Sequence, residues 1–237
     1  MLSAALLTAC TLSTMSIPDE TSFKLPPMEQ NAILVFHAGE RKREYSQDEL
    51  QEMQKAHIGN LGRLFSEKKA PAAGPFAERG EFRGIVILQM PLDKIPAEFE
   101  QDPFVKEGLL KITVNSWMMP KGLFAWPQSE EFKMHNYSLV RWLKGPNWTA
   151  DVSEELSKAN VAHVTRNLSQ MRDGSACIHG PVGDPTGEWR GLSIFPTDDK
   201  AKVEALLAED PLLKRGHFRV EIKPLMMGAG LFNPLKP

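Results

Sequence analysis

The chain has little cysteine, no long apolar run and no excess of charge of either sign. Cys10 and Cys177, the two cysteines among 237 residues, supply neither a disulfide framework nor the spacing of a zinc site or redox pair. No segment reaches the ~18 consecutive apolar residues of a membrane span. Lys and Arg number 28 against 30 Asp and Glu, leaving a net charge of −2 and a pI near 6.3. The basic cluster Arg41-Lys42-Arg43 is short and followed by Glu44, so the basic stripe of a nucleic-acid binder is missing. There is no P-loop, no dinucleotide fingerprint and no G-x-S-x-G elbow. The six histidines show no i, i+4 pair of the kind that ligates a metal on a helix. Cys177, inside the strand-like stretch 175–179, lacks the electropositive setting of a nucleophile and reads as a small buried hydrophobe.

What the chain has instead is internal repetition. His57 precedes Gly74-Pro75 by 17 residues, and His163 precedes Gly180-Pro181 by 17. Arg83-Gly84 answers to Arg190-Gly191. Asp102-Pro103 with Lys106 and Gly108 answers to Asp210-Pro211 with Lys214 and Gly216, and Met118-Met119 with Gly122-Leu123-Phe124 to Met226-Met227 with Gly230-Leu231-Phe232. Matching Leu34-Val35 to Leu139-Val140 sets the first offset at 105 residues; it then runs through 106 and 107 to 108. The reading is of two related units, with polar residues kept in both as the first candidates for chemistry.

Each half spells the same order of elements. Asn31 to Ala38 and Asn136 to Leu143 are strand-like. Ser46 with Glu49 forms a capping box ahead of Leu50, Met53, Leu61 and Leu64 at helical spacing. Two strands, a short helix and a last strand follow, and the second half repeats them. The fold class is α+β: two tandem ferredoxin-like β-α-β-β-α-β units. Each unit leaves one sheet face bare, so the two sheets are expected to pack on each other as an intramolecular pseudodimer. The organisation is a tether at 1–30, one unit at 31–118, a linker at 119–135, a second unit at 136–226 and a tail at 227–237. Phe124 and Trp126 give the linker groups to pack.

The helix His, the Gly-Pro turn, the Arg-Gly strand, Asp-Pro-x-x-Lys-x-Gly and Gly145-Pro146-Asn147-Trp148 together resemble the YCII-related family over nearly all of both units. The resemblance implies a dimeric α/β-barrel fold with the usual pair of subunits fused. It also implies a His–Asp active-site pair, which points to His57, Asp102, His163 and Asp210, and a lyase-like reaction as one precedent. At its N-terminus, Leu7-Thr8-Ala9-Cys10 resembles the lipobox of bacterial lipoproteins, although no Lys or Arg precedes it. It implies a lipid on Cys10 and a place at the cell envelope; a cytoplasmic chain is the alternative.

The residues themselves leave alternatives open. His57 lies on the inward face Leu50-Met53-His57-Leu61, where a carboxylate could tune it as a general base or a backbone carbonyl could simply hold it. Asp before Pro is a frequent cap, and which Asp faces which His is undecided. Arg83 and Arg190, beside glycines at strand starts, fit a bidentate grip on a substrate carboxylate or surface ion pairs. Lys106 and Lys214 read as solvated. The expectation is a small-molecule enzyme, of lyase or isomerase type, that needs neither metal nor organic cofactor. It has no nucleic-acid partner and touches membrane only through the N-terminal lipid; a non-catalytic binding lipoprotein is the alternative.

Overall fold

The computed structural model describes residues 24–41, 43–78, 80–127 and 133–236; the Cys10 motif lies outside them. Among the described residues, eight strands and six α-helices follow in the order β1 (Met28–Ala38), α1 (Gln47–Ser66), β2 (Ala72–Pro75), β3 (Phe82–Leu88), α2 (Ile95–Phe99), α3 (Pro103–Lys106), β4 (Leu110–Pro120), β5 (Met134–Lys144), α4 (Glu154–Asp173), β6 (Ile178–Gly183), β7 (Trp189–Phe195), α5 (Lys200–Leu207), α6 (Pro211–Lys214) and β8 (Phe218–Gly228). The capping box is made: Glu49 N–H donates to Ser46 Oγ at 3.2 Å, and Ser46 N–H donates to Glu49 Oε2 at 2.7 Å.

The sheets do not stack as two facing layers. All eight strands form one antiparallel sheet, ordered β2-β3-β1-β4-β6-β7-β5-β8. β4 meets β6 through Ser116–Gly183 and Trp117–Val182. The free edges β2 and β8 come together at Phe76–Leu225, where Ala77 N–H donates to the Pro224 carbonyl at 3.0 Å. The sheet thereby nearly closes into a barrel, which removes the exposed edges that stacked sheets keep. Its interior is one apolar core drawn from both halves, with Ile33, Ile85, Trp117 and Met119 beside Leu139, Ile178, Leu192 and Met227. Two further cores lie outside the barrel under the helices: Leu34, Phe36, Leu64 and Phe99 in the first half, Val140, Trp142, Phe195 and Val203 in the second.

The Gly-Pro pairs sit at the two seams. A Cβ on Gly74 would overlap the Met226 carbonyl, and one on Gly180 would overlap the Met118 carbonyl, so glycine is what lets the backbones approach. Each repeated Gly-Pro thus meets the repeated Met-Met of the other half. Gly74-Pro75 ends β2 as expected, whereas Gly180-Pro181 lies within β6.

Register corrects the repeat. Phe36 pairs with Gly84, and Trp142 with Gly191. Leu34 faces the helices like Val140, whereas Leu139 points into the barrel. The first-strand offset is therefore 106, not 105. A slip of one residue moves every side chain to the other face, and similar apolar residues on both faces hide it from the sequence. The linker is also shorter than expected, because β4 runs through Pro120 and β5 starts at Met134. Phe124 and Trp126 do pack, against Phe232 and Phe65.

Candidate functional site

The Asp-Pro-x-x-Lys-x-Gly motif folds into a one-turn helix. Asp102 caps α3: its Oδ1 accepts from Phe104 N–H at 3.1 Å and from Val105 N–H at 3.4 Å. Asp210 caps α6 in the same way, through Leu212 N–H at 3.0 Å and Leu213 N–H at 3.2 Å. Pro103 and Pro211 begin these turns where no donor is needed. Gly108 and Gly216 stop them at φ 73° and 66°, in the left-handed region that favours glycine.

Capping uses one carboxylate oxygen and leaves the other for histidine. Asp102 Oδ2 lies 2.6 Å from His57 Nδ1, and Asp210 Oδ2 lies 2.6 Å from His163 Nδ1. Each pair forms within its own half, and both open readings of Asp hold together: it caps a turn and holds an imidazole. The carboxylates are buried, at 2% and 1% exposure, while the His side chains keep 12% and 14%. An ionised carboxylate only accepts, so each Nδ1 carries the proton and donates, and in the neutral imidazole each Nε2 presents a lone pair. Burial opposes the Asp210 charge, but hydrogen bonds from His163 and from Leu213 and Leu212 N–H outweigh it and hold the carboxyl below its usual range.

The two centres differ in their surroundings. His57 packs edge-on against Phe36 and Phe104, at 5.3 and 5.6 Å between centroids. His163 packs against Trp142 at 5.0 Å, and its Nε2 accepts from Asn167 Nδ2 at 3.0 Å. Beneath it, Trp142 Nε1–H donates to Ser193 Oγ at 2.7 Å, and the Ser193 hydroxyl donates to His179 Nδ1 at 2.5 Å. In the first half the same places hold Leu61 for Asn167, Phe36 for Trp142, Val86 for Ser193 and Ala73 for His179. These polar residues escape a sequence reading that looks for residues shared by both halves.

His179 is fully sealed: burial pushes it down to about 3, and its Nε2 has no partner among the described residues. The native state therefore stays neutral while the unfolded chain takes up a proton below pH 6.5. Stability should fall as pH drops, by about 2 kcal/mol between pH 7 and pH 5. Urea unfolding at the two pH values measures this. His179→Ala should flatten the dependence, and an unchanged slope in the variant would exclude His179 as its source.

Arg83 and Arg190 are the bulged residues of β3 and β7, skipped where His37 pairs with Phe82 and Leu143 with Trp189. A bulge re-aims its side chain. Arg83 is exposed, and Arg190 lies over the Trp148 ring at 4.9 Å. Neither makes a hydrogen bond to a His–Asp pair among the described residues. Lys106 and Lys214 are exposed as expected. Among the described residues no group of three or more His, Cys, Asp and Glu is placed to hold a metal. Burial pushes the Cys177 thiol up to about 12, which agrees with a packing role.

No model of a known family matches the sequence, and no curated protein does. Solved structures do resemble the fold. A heme-binding protein from Thermus thermophilus matches at TM-score 0.51 and 13% identity, covering 88% of this chain and 94% of the other. Chlorite dismutase from Candidatus Nitrospira defluvii in complex with imidazole matches at 0.54 and 10%, covering 84% and 90%. A candidate monooxygenase from Lactobacillus acidophilus matches at 0.50 and 10%, covering 88% and 100%. Identities this low speak to architecture alone: the chain has an α+β, dimeric α/β-barrel fold.

Proposed function

We propose that the chain is a fused pair of YCII-like units that performs cofactor-independent acid–base chemistry, an elimination or isomerisation, on a small molecule. One observation carries the reading. At corresponding places in the two halves, a partly shielded imidazole is fixed through Nδ1 by a buried carboxylate that two backbone N–H groups already hold. A base oriented in this way keeps one tautomer and one direction of attack. Nε2 would take the substrate proton, and the resulting imidazolium would be stabilised by the Asp. His57 Nε2 makes no hydrogen bond to the described residues, whereas His163 Nε2 must first release Asn167.

Small-ligand binding is the coarse property that the structural neighbours share with this reading. The heme named for one of them belongs to that protein; in this chain His163 Nε2 already accepts from Asn167, and the His57 ring packs edge-on against Phe36 and Phe104. Two cavities, one of about 300 Å³ lined by Glu29, Asn31 and Gln89 and one of about 70 Å³ at Phe76 and Lys223, lie away from both pairs. No step here passes through heme.

The test is deuterium incorporation from solvent into a panel of small enolisable carboxylates, followed by NMR. The native protein should exchange at least one of them, and His57→Ala with His163→Ala should slow this about a hundredfold while circular dichroism stays unchanged. A double variant as active as the parent overturns the reading, as does a parent inactive on the whole panel. Unequal single variants would assign the work to one centre. A second reading, a ligand-binding lipoprotein of the cell envelope, rests on Leu7-Thr8-Ala9-Cys10. Failure of Cys10 to take up a palmitate analogue would remove it.

A further inference from the structure

We propose that Arg190 and Lys144, set over the Trp148 indole and separated from His163 by Phe218, form a recognition subsite for the carboxylate or phosphate group of a small substrate. The word substrate rests on the acid–base reading above; the anion site itself does not.

The subsite is built from three places in the second half. Lys144 ends β5, Arg190 fills the β7 bulge, and Trp148 closes the Gly145-Pro146-Asn147-Trp148 turn. Arg190 Cζ lies 4.9 Å and Lys144 Nζ 5.7 Å from the Trp148 ring centre. Trp148 also packs on His217 at 4.4 Å and on Phe218 at 5.6 Å. His217 is 5% exposed, so the floor under the indole is fixed.

Lys69 and Arg141 are partly shielded cations too, and each has a glutamate, at 2.7 and 3.0 Å. Among the described residues neither Arg190 nor Lys144 is paired with a carboxylate. Two cations over one ring repel each other, and a bound anion relieves that repulsion. A guanidinium over an indole keeps in-plane N–H groups for a two-oxygen acceptor. Burial holds the His217 imidazole below the usual range; a backbone hydrogen bond with Asn147 opposes this, and the Arg190 charge lowers it further.

The site adjoins the second His–Asp centre through Phe218, which is 5.6 Å from Trp148 and 5.9 Å from His163. An anion held at Arg190 would place the rest of a small molecule toward His163. The first half lacks the arrangement: Ala38 stands where Lys144 does, Leu109 where His217 does, and Arg83 is exposed.

The experiment follows the His217 imidazole resonance while inorganic phosphate, and separately acetate, is added to the full chain. Saturable binding with a rise in the His217 pKa is expected, weakened about tenfold or more by Arg190→Gln and by Lys144→Gln. Arg83→Gln should leave it unchanged. The relative affinities of the two anions tell a phosphate site from a carboxylate site. Absence of saturation, or equal affinity in the Arg190 and Lys144 variants, overturns the proposal. His163→Ala should retain anion binding. Binding without any exchange activity would therefore refute the acid–base reading alone, and exchange without binding would refute the subsite alone.

Discussion

Alanine at Gly74 or Gly180 is expected to lower the unfolding free energy by about 3 kcal/mol, at the upper end for overpacking, and the melting temperature by roughly 6–12 °C. At both positions the new Cβ would overlap a backbone carbonyl, of Met226 and of Met118. A flexible side chain could swing away, but a strand carbonyl can move only by shifting its strand. That shift would part β2 from β8, or β6 from β4, and so open the one core that both halves fill. Gly59→Ala is the control. It sits in α1 with nothing within 4 Å of its Cβ and should stabilise by about 0.5–1 kcal/mol through helix propensity. Urea unfolding of the three variants decides the matter. A loss below about 1 kcal/mol at both seam glycines would mean that the barrel does not depend on these contacts.

Asp210→Ala is expected to cost about 3–5 kcal/mol. The substitution strips Leu212 and Leu213 N–H of their acceptor and leaves His163 Nδ1–H without its partner in a shielded site. Asp210→Asn keeps a capping oxygen and should lose only about 1–2 kcal/mol. The pH dependence has a definite sign. The folded carboxyl is held below its ordinary 3.8, so the unfolded chain takes up a proton first as pH falls. The stabilisation is complete above that value and disappears as pH drops through the folded pKa. Chemical unfolding between pH 5 and pH 2 should show this acid loss in the parent and less of it in Asp210→Asn. Parallel curves would mean that the pair contributes nothing as an ion.

Much of the architecture is written in the order of residues. The Ser46–Glu49 box and the helical spacing of Leu50, Met53, His57 and Leu61 set α1, because helix signals are local. Asp102-Pro103 to Gly108 spells a capped turn for the same reason, and Asp before Pro already reads as a cap in the sequence. The pairing of His57 with Asp102 joins residues 45 positions apart, and sequence offers it only through family resemblance. The register of β1 against its counterpart reads one residue out of step, since Leu and Val occupy both faces of that strand. Asn167, Ser193, His179 and His217 stay hidden as a polar set because comparing the halves favours what they share.

The amino-acid order alone determined two similar runs of strand and helix and the few polar residues that recur in both. Those features depend on neighbours within a few turns of chain. Only the folded molecule decided that the sheets join edge to edge into one barrel, that each aspartate serves a turn and an imidazole at once, and that the two centres differ in their polar surroundings. Each of these rests on contacts between residues far apart in sequence, which exist only once strands are in register and side chains are packed.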